Sequence, residues 1–129
     1  MKISFSKLFV TNQDTALGFY TEKLGFVKKT DITNGGYRWL TVVSPEDQNG
    51  TELILELNSN PVAATFQKAL FEQGNPAANF DAADVRAEYD RLTALGVTFA
   101  TEPTDVMPGV TIAVLNDTCG NLIQIQKTA

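Results

Sequence analysis

The chain has 129 residues, of which 43% are hydrophobic and 19% are charged, and its formal net charge is −5. This composition is typical of one ordinary globular domain, and the negative charge without a basic stripe argues against nucleic-acid binding. Histidine is absent from the sequence, which excludes Ser-His-Asp and Cys-His catalysis and any metal site built on imidazole.

The first half of the chain predicts a strand, a helix and three further strands. Residues 2–10 alternate between two faces as a strand does. Asn12 can cap the following helix, and Gly25 supplies a left-handed stop for it. Further strand-like segments lie at about 26–32, 37–43 and 51–57. The first module is therefore predicted to be β-α-β-β-β and to cover about residues 1–58.

A connector helix is predicted at about 60–73, with Pro61 in its first turn. Its apolar face would consist of Val62, Phe66, Ala69 and Leu70. The second module, about 75–127, begins with a short strand near 77–82 and a helix that Gly96 ends. Its remaining strands are predicted at about 97–102, 110–115 and 121–127.

The two modules share a recurring string. FYTEKLGFV at 19–27 and YDRLTALGVTF at 89–99 each carry a helix end, a Leu-Gly pair and a strand start. Each is followed later by a related strand, LILEL at 53–57 and LIQIQ at 122–126. A duplicated unit of this length indicates two similar modules in one body, with a cleft that both halves line. We therefore predict a single α+β domain over 1–129, built from two βαβββ modules.

Three strings together resemble the vicinal oxygen chelate superfamily, which includes glyoxalase I, bleomycin-resistance proteins and extradiol dioxygenases. They are FYTEKLGF at 19–26, AADVRAEYDRLTALGV at 82–97 and DTCGNLIQIQ at 117–126. The resemblance covers essentially the whole chain. It implies that the strands of the two modules curl into a half-open, barrel-like cleft, and that two copies of the chain form a homodimer.

The resemblance also implies where a metal would bind, because enzymes of that family hold one divalent ion through four side chains. The corresponding positions here are Phe5, Glu56, a residue near Ala77, and Gln124. Phe and Ala offer no lone pair, and two oxygen ligands do not make a tight site. We therefore expect no cofactor, with a divalent metal held weakly by Glu56 and Gln124 as the alternative.

Glu56 and Gln124 are also candidates for contact with a ligand. The period of two along a strand places Glu56 and Ile54 on the cleft face. Glu56 is interpreted as a ligand-binding or acid–base catalytic carboxylate, and the alternative is a solvated carboxylate on an open sheet face. Gln124 is interpreted as a neutral hydrogen-bonding group opposite Glu56, and the alternative is an ordinary polar residue on a last strand.

The aromatic residues Phe5, Phe9, Tyr37, Trp39 and Phe71 could belong either to the core or to a ligand site. Phe5 and Trp39 are the predicted ligand contacts. Phe5 would make the floor of the cleft apolar, whereas the parity of Trp39 allows either face of its strand. Arg38 is the cation best placed for an anionic ligand, and a solvated surface position is the alternative.

Cys119 lies in the turn 117–120, with no histidine, lysine or arginine near it in sequence. We therefore predict an inert, exposed or half-exposed thiol. A single cysteine excludes an internal disulfide and fits a reducing cytoplasm. The apolar runs are too short to span a membrane, and the first ten residues lack the core of a signal peptide. A cytoplasmic location without membrane or nucleic-acid partners follows.

Two functions of different class remain open. One is a binding protein of the bleomycin-resistance type, which takes up a small apolar or aromatic molecule without a complete metal site. The other is a glyoxalase-type lyase or isomerase that uses Glu56 as a base, with a weakly bound divalent metal. The fold alone does not decide between the two functions.

Overall fold

A computed structural model describes residues 1–128, which form eight strands and three α-helices. The strands are β1 (Phe5–Val10), β2 (Val27–Asn34), β3 (Tyr37–Val43), β4 (Glu52–Leu57), β5 (Ala78–Asp81), β6 (Phe99–Met107), β7 (Val110–Asn116) and β8 (Leu122–Lys127). The helices are α1 (Gln13–Gly18), which continues as a π-helical turn over Phe19–Lys23, α2 (Pro61–Glu72) and α3 (Val85–Ala94).

The strands form two four-stranded sheets with the same arrangement, in two compact units that meet in sequence at Thr65 and Phe66. The strand order is β1-β4-β3-β2 in the first sheet and β5-β8-β7-β6 in the second. In each sheet the first and last strands of the module pair in parallel, and the other pairs are antiparallel. The predicted α+β class and the two βαβββ modules are thereby confirmed.

Helix α1 lies on one side of the first sheet, against β4. The side chain of Asn12 caps it by accepting a hydrogen bond from the Thr15 amide at 2.9 Å. Gly25 ends the helical segment with φ +86°, a conformation that costs glycine little. The sheet residues on this helix side are fully or almost fully buried: Leu8, Val10, Leu40, Val42 and Leu55.

Helix α3 occupies the corresponding place in the second module, where it packs against β6, β7 and β8. Asp84 caps it by accepting from the Ala87 amide at 3.0 Å, and Gly96 ends it at φ +87°. Its buried residues are Val85 and Leu92. The sheet side beneath α3 is aliphatic and buried, with Ala113, Leu115, Ile123 and Ile125.

The connector α2 forms where it was predicted, but its predicted apolar face is wrong at Val62 and Phe66, while Ala69 and Leu70 are half-buried. Val62 and Phe66 are 78% and 62% exposed, whereas Ala63 and Gln67 are buried. Hydrogen bonding explains this orientation of the helix. The Gln67 amide donates to the Cys119 carbonyl oxygen at 3.1 Å and to Asn121 Oδ1 at 3.2 Å. These two bonds turn the face that carries Gln67 inward.

Strand β6 is longer than the predicted segment 97–102, because it continues through Pro103 to Met107. Proline is tolerated there since β6 is an edge strand, and its pairing with β7 shifts register on both sides of that residue. No helix within residues 1–128 is long and apolar enough to cross a membrane.

Candidate functional site

The side of the first sheet that faces away from α1 carries most of the aromatic residues singled out in the sequence. The cross-strand register places Phe5 beside Glu52 and Phe9 beside Glu56 on β1 and β4, and it continues to Thr41 on β3, which pairs with Ile54. We call this surface the aromatic face. Its residues are Phe5, Lys7, Phe9, Ile32, Tyr37, Trp39, Thr41, Glu52, Ile54 and Glu56.

Phe5 and Trp39, the two predicted ligand contacts, lie together on this face. Their ring centroids are 5.4 Å apart, with the planes inclined at 73°, which is a favourable edge-to-face geometry. Trp39 is half-buried, and Phe5 is 48% exposed. The parity of Trp39, which the sequence left open, is therefore that of the aromatic face.

Glu56 is half-buried on the same face, where Tyr37 is its hydrogen-bond partner. The Tyr37 hydroxyl donates to Glu56 Oε2 at 2.7 Å. This bond, together with desolvation and the negative charge of Glu56, raises the pKa of Tyr37. Sequence reasoning had not paired the two residues. The signal that could have found the pair was their shared parity on neighbouring strands.

Two further polar groups complete the face. The hydroxyl of Thr41, which is fully buried, donates to Glu52 Oε1 at 2.7 Å. The ammonium of Lys7 lies 5.9 Å from the centroid of the Phe9 ring, within the range of a cation–π contact. The aromatic face thus presents several rings, two carboxylates and one ammonium group.

Arg38, the predicted cation for an anionic ligand, lies on the opposite side of the sheet. Its guanidinium binds both carboxylate oxygens of Asp31, at 2.8 and 2.9 Å, and Asp14 Oδ1 at 2.6 Å. Hydrogen bonding to these carboxylates raises the pKa of Arg38, and its bonds to Asp31 lower the pKa of that residue. Arg38 therefore ties β3 to β2 and to α1.

The second sheet has a different chemistry on the side that faces away from α3. Gln124, a predicted ligand contact, donates from Nε2 to Gln126 Oε1 at 3.2 Å, and Gln126 Nε2 lies 3.4 Å from Asp81 Oδ1. We call this surface the amide face, defined by Asn79, Asp81, Ile112, Val114, Leu122, Gln124 and Gln126. Phe71 belongs to neither face, because it lies on α2.

Cys119 is buried, which corrects the prediction of an exposed or half-exposed thiol, although Thr118 beside it in the turn is exposed. Asp117 Oδ1 accepts from the amides of Cys119 and Asn121 at 2.7 and 3.0 Å, and Oδ2 accepts from Asn121 Nδ2 at 2.8 Å. These bonds fold the turn inward and bury the thiol. Burial, and secondarily the charge of Asp117, raises the pKa of Cys119 to about 12, so the thiol is a poor nucleophile at neutral pH.

The four positions at which the resembled enzymes hold a metal do not fit a metal site here. When Glu56 on β4 is matched with Gln124 on β8, Phe9 matches Asn79, and counting four residues back along each chain segment matches Phe5 with Asn75, which precedes β5, rather than with Ala77. Asn75 donates its amide to Gln73 Oε1 at 3.0 Å. One carboxylate and two amides are a weak donor set for a divalent ion. Within residues 1–128, no three or more His, Cys, Asp or Glu side chains gather as a metal-binding group.

Comparison with known proteins matches residues 2–125 to the family model described as the Glyoxalase/Bleomycin resistance protein/Dioxygenase superfamily. The chain is 59% identical over 125 residues to the uncharacterized protein YurT of Bacillus subtilis (strain 168), covering 97% of this chain and 98% of that protein.

Solved structures with the same fold include UcmS2, which is 34% identical with a TM-score of 0.84 over 98% of this chain and 97% of that chain. A superfamily member from Sphaerobacter thermophilus DSM 20745 is 26% identical, with a TM-score of 0.75 over 98% and 96% of the two chains. TnmS3, an antibiotic binding protein from Streptomyces sp. CB03234, is similar in fold at 24% identity, with a TM-score of 0.78 over 100% and 97%.

Proposed function

Since this chain belongs to the glyoxalase/bleomycin resistance protein/dioxygenase superfamily, we propose that it is a binding protein for a small aromatic molecule. The ligand lies on the aromatic face and needs no metal. The observation that carries this proposal is the gathering of Phe5, Phe9, Tyr37 and Trp39 around Glu56 on one partly exposed sheet face.

The exposed apolar area supplies the driving force. Phe5 and Tyr37 are 48% and 46% exposed, and Ile32, which pairs with Trp39 across β2 and β3, is also exposed. A contiguous exposed apolar surface on a folded protein is typical of a ligand or partner site. A flat ring stacked there would remove apolar area from water, at a gain of roughly 25 cal/mol per Å².

Glu56 gives the surface a directional contact. Tyr37 occupies its Oε2, and Oε1 has no hydrogen-bond partner in the part of the chain that the structure describes. A phenolic hydroxyl or an amide N–H on the ligand could therefore donate to Oε1. Charge-assisted bonds of this kind are stronger than those between neutral groups. The ligand class that fits is a planar aromatic compound with a hydrogen-bond donor at its edge.

One structure with the same fold supports a binding role. TnmS3, which shares the fold, is described as an antibiotic binding protein, so this scaffold is compatible with that role. The proposal includes a homodimer in the cytoplasm without a cofactor. Light scattering of the purified chain tests the dimer, and metal analysis of protein purified without chelator tests the cofactor. A stoichiometric divalent ion would contradict the metal-free part.

A second candidate is a glyoxalase-type lyase or isomerase. It is favoured by the position of Glu56, a half-buried carboxylate that the Tyr37 hydroxyl holds in place by a hydrogen bond. Such a carboxylate can act as a general base and take a proton from a carbon beside a carbonyl. A weakly bound divalent ion belongs to this candidate. Turnover of the methylglyoxal–glutathione adduct, abolished by Glu56→Gln, would establish it over the binding function.

Trp39 allows a direct test, because it is the only tryptophan in the chain and lies on the aromatic face. Its fluorescence is measured while a panel of planar hydroxyaromatic compounds, from 2-naphthol to hydroxyanthraquinones, is titrated into the protein. We expect saturable quenching by at least one member and a rise in melting temperature at saturation. Glu56→Gln should weaken that binding about tenfold, the effect of one charge-assisted hydrogen bond.

Phe71→Ala is the matched control, since it removes a partly exposed aromatic ring that lies on α2 rather than on the aromatic face. Its affinity should equal that of the wild type. If no compound in the panel gives saturable quenching at millimolar concentration, or if the control loses as much affinity as Glu56→Gln, the proposed function is wrong.

A further inference from the structure

The strands of the first sheet carry four cationic side chains, and three of them are engaged by oxygen atoms. Arg38 is held by Asp14 and Asp31, and the Lys28 ammonium lies 3.8 Å from an Asp31 oxygen. Lys29 donates to the Gln48 carbonyl oxygen at 3.2 Å. Lys7 differs: within residues 1–128 it forms no ion pair or hydrogen bond, and its contact is the Phe9 ring.

The carboxylates beside Lys7 make its lack of an ion pair informative. In the register of β1 and β4, Lys7 pairs with Ile54, and Glu52 and Glu56 point to the same face on either side of that residue. Each of these carboxylates accepts a hydrogen bond from a hydroxyl instead, at 2.7 Å in both cases. The ammonium of Lys7 is therefore left over the ring, with its donors available on the surface where the ligand is proposed to lie.

We propose that Lys7 is a specificity-determining residue that selects aromatic ligands with an anionic oxygen, such as a carboxylate or an ionised phenol. This inference rests on the proposed binding function. A ring stacked beside Phe9 would bring an oxygen substituent within reach of the ammonium, while Glu56 Oε1 accepts from a donor on the same ligand. The ligand class becomes a planar aromatic compound that carries both an acidic group and a hydroxyl, as in a hydroxynaphthoate.

The carboxylates nearest to Lys7 are Glu52 and Glu56, each of which accepts a hydrogen bond from a hydroxyl, and the remainder of the net charge of −5 has little effect at short range. At physiological ionic strength the screening length is about 8 Å, so distant carboxylates contribute little to the field at the ligand. A direct contact with an ammonium group is screened less. The charge-assisted bond with Lys7 is also shorter and stronger than a bond between neutral groups.

The test compares 2-naphthoate with its neutral isostere, 2-naphthamide, using the quenching of Trp39 in the wild type and three variants. We expect the wild type to bind the carboxylate about tenfold more tightly than the amide, the size of one partly exposed charge-assisted contact. Lys7→Met keeps the apolar stem over Phe9 and should remove this preference while leaving the affinity for the amide within twofold.

Lys7→Arg should restore the preference, because it retains a cation at this position. Lys29→Met is the matched control, since it removes a first-sheet lysine that is already engaged by Gln48, and it should leave both affinities unchanged. Raising the salt concentration should reduce the preference of the wild type and have little effect on Lys7→Met.

The outcomes separate this inference from the proposed function. If both probes bind and Lys7→Met alters neither affinity, the role of Lys7 is wrong while the aromatic site stands. If the wild type prefers the amide, the role of Lys7 is also wrong. If neither naphthalene probe nor any compound of the hydroxyaromatic panel binds, both the proposed aromatic ligand site and the proposed role of Lys7 are wrong.

Discussion

The two sheets have the same strand order, yet the sides that the helices leave uncovered differ in chemistry. Matching Glu56 with Gln124 and continuing the registers gives four pairs of positions: Phe9 and Asn79, Tyr37 and Ile112, Trp39 and Val114, and Glu56 and Gln124. Three aromatic residues and a carboxylate in the first sheet therefore correspond to two amides and two aliphatic residues in the second.

The helix sides have not diverged in this way. Leu40 corresponds to Leu115 and Leu55 to Ile123, and all four are fully buried. Packing against a helix restricts these positions to apolar residues of similar volume. The uncovered sides have no such restriction. The difference teaches that the duplicated architecture is set by one side of each sheet, whereas ligand chemistry is carried by the other.

The largest effect on stability is expected when a buried leucine on the helix side of either sheet is truncated. Leu40→Ala and Leu115→Ala should each lower the free energy of unfolding by about 2–5 kcal/mol, the usual result of a cavity at a fully buried leucine. Urea denaturation measures both variants, and Leu57→Ala, at an exposed position, serves as the control. A loss in only one of the two modules would break the equivalence of their helix sides.

The loop between β3 and β4 and the loop between β7 and β8 provide the next comparison, because each precedes the last strand of its module. Asp117→Ala should cost at least about 2 kcal/mol, because it leaves the buried donors of Cys119 and Asn121 without an acceptor. Asp47→Ala, in the exposed loop between β3 and β4, should change stability by less than about 0.5 kcal/mol. Equal losses of stability in urea would show that the buried bonds of the second loop do not distinguish it.

A smaller effect, on ligand affinity, is expected when a residue of the aromatic face is replaced by its counterpart from the amide face. Phe9→Asn places the residue of the amide face on the aromatic face and should weaken aromatic ligands about tenfold, through lost stacking and apolar area. Trp39 remains to report binding, and the melting temperature shows whether the variant is folded. Retained affinity in a folded variant would mean that the aromatic face is not the ligand surface.

The smallest effect concerns the phenol of Tyr37, whose matched residue Ile112 has no hydroxyl. The hydrogen bond to Glu56 raises the pKa of Tyr37 in the folded state above its ordinary value near 10. The contribution of this hydrogen bond to the stability of the fold is therefore complete below that pH, and it is lost as the pH rises through the folded-state pKa of Tyr37. Urea midpoints between pH 9 and 11 should fall more for the wild type than for Tyr37→Phe, and parallel curves would contradict this linkage.

Sequence patterns were sufficient for most of the architecture. The cap Asn12 marks the start of α1, and the left-handed glycines Gly25 and Gly96 mark the ends of both helical segments, because these signals are local and act through the backbone. Strand alternation placed Glu56 correctly beside Ile54 on the uncovered side of the first sheet. The strings that resemble one superfamily were likewise sufficient to identify the family.

The remainder depends on contacts that no local pattern encodes. The bond between Tyr37 and Glu56 depends on the register of β3 against β4, and the inward turn of Gln67 depends on acceptors 52 and 54 residues away. The burial of Cys119 follows from the hydrogen bonds that Asp117 makes inside the turn, which composition and residue type did not reveal. Whether Glu56, Gln124, Phe5 and Trp39 contact a ligand stays a prediction. The residues of a surface restrict the chemistry of a ligand but do not identify it.

The hydrogen bonds of Gln67 also indicate where the chain could be divided. They attach the second half of α2 to the turn between β7 and β8, so this part of the connector belongs structurally with the second repeat. A circular permutation or a split of the gene is therefore best placed between Leu57 and Pro61. A break after Glu72 would leave the carbonyl of Cys119 and the amide of Asn121 without the side chain that now covers them.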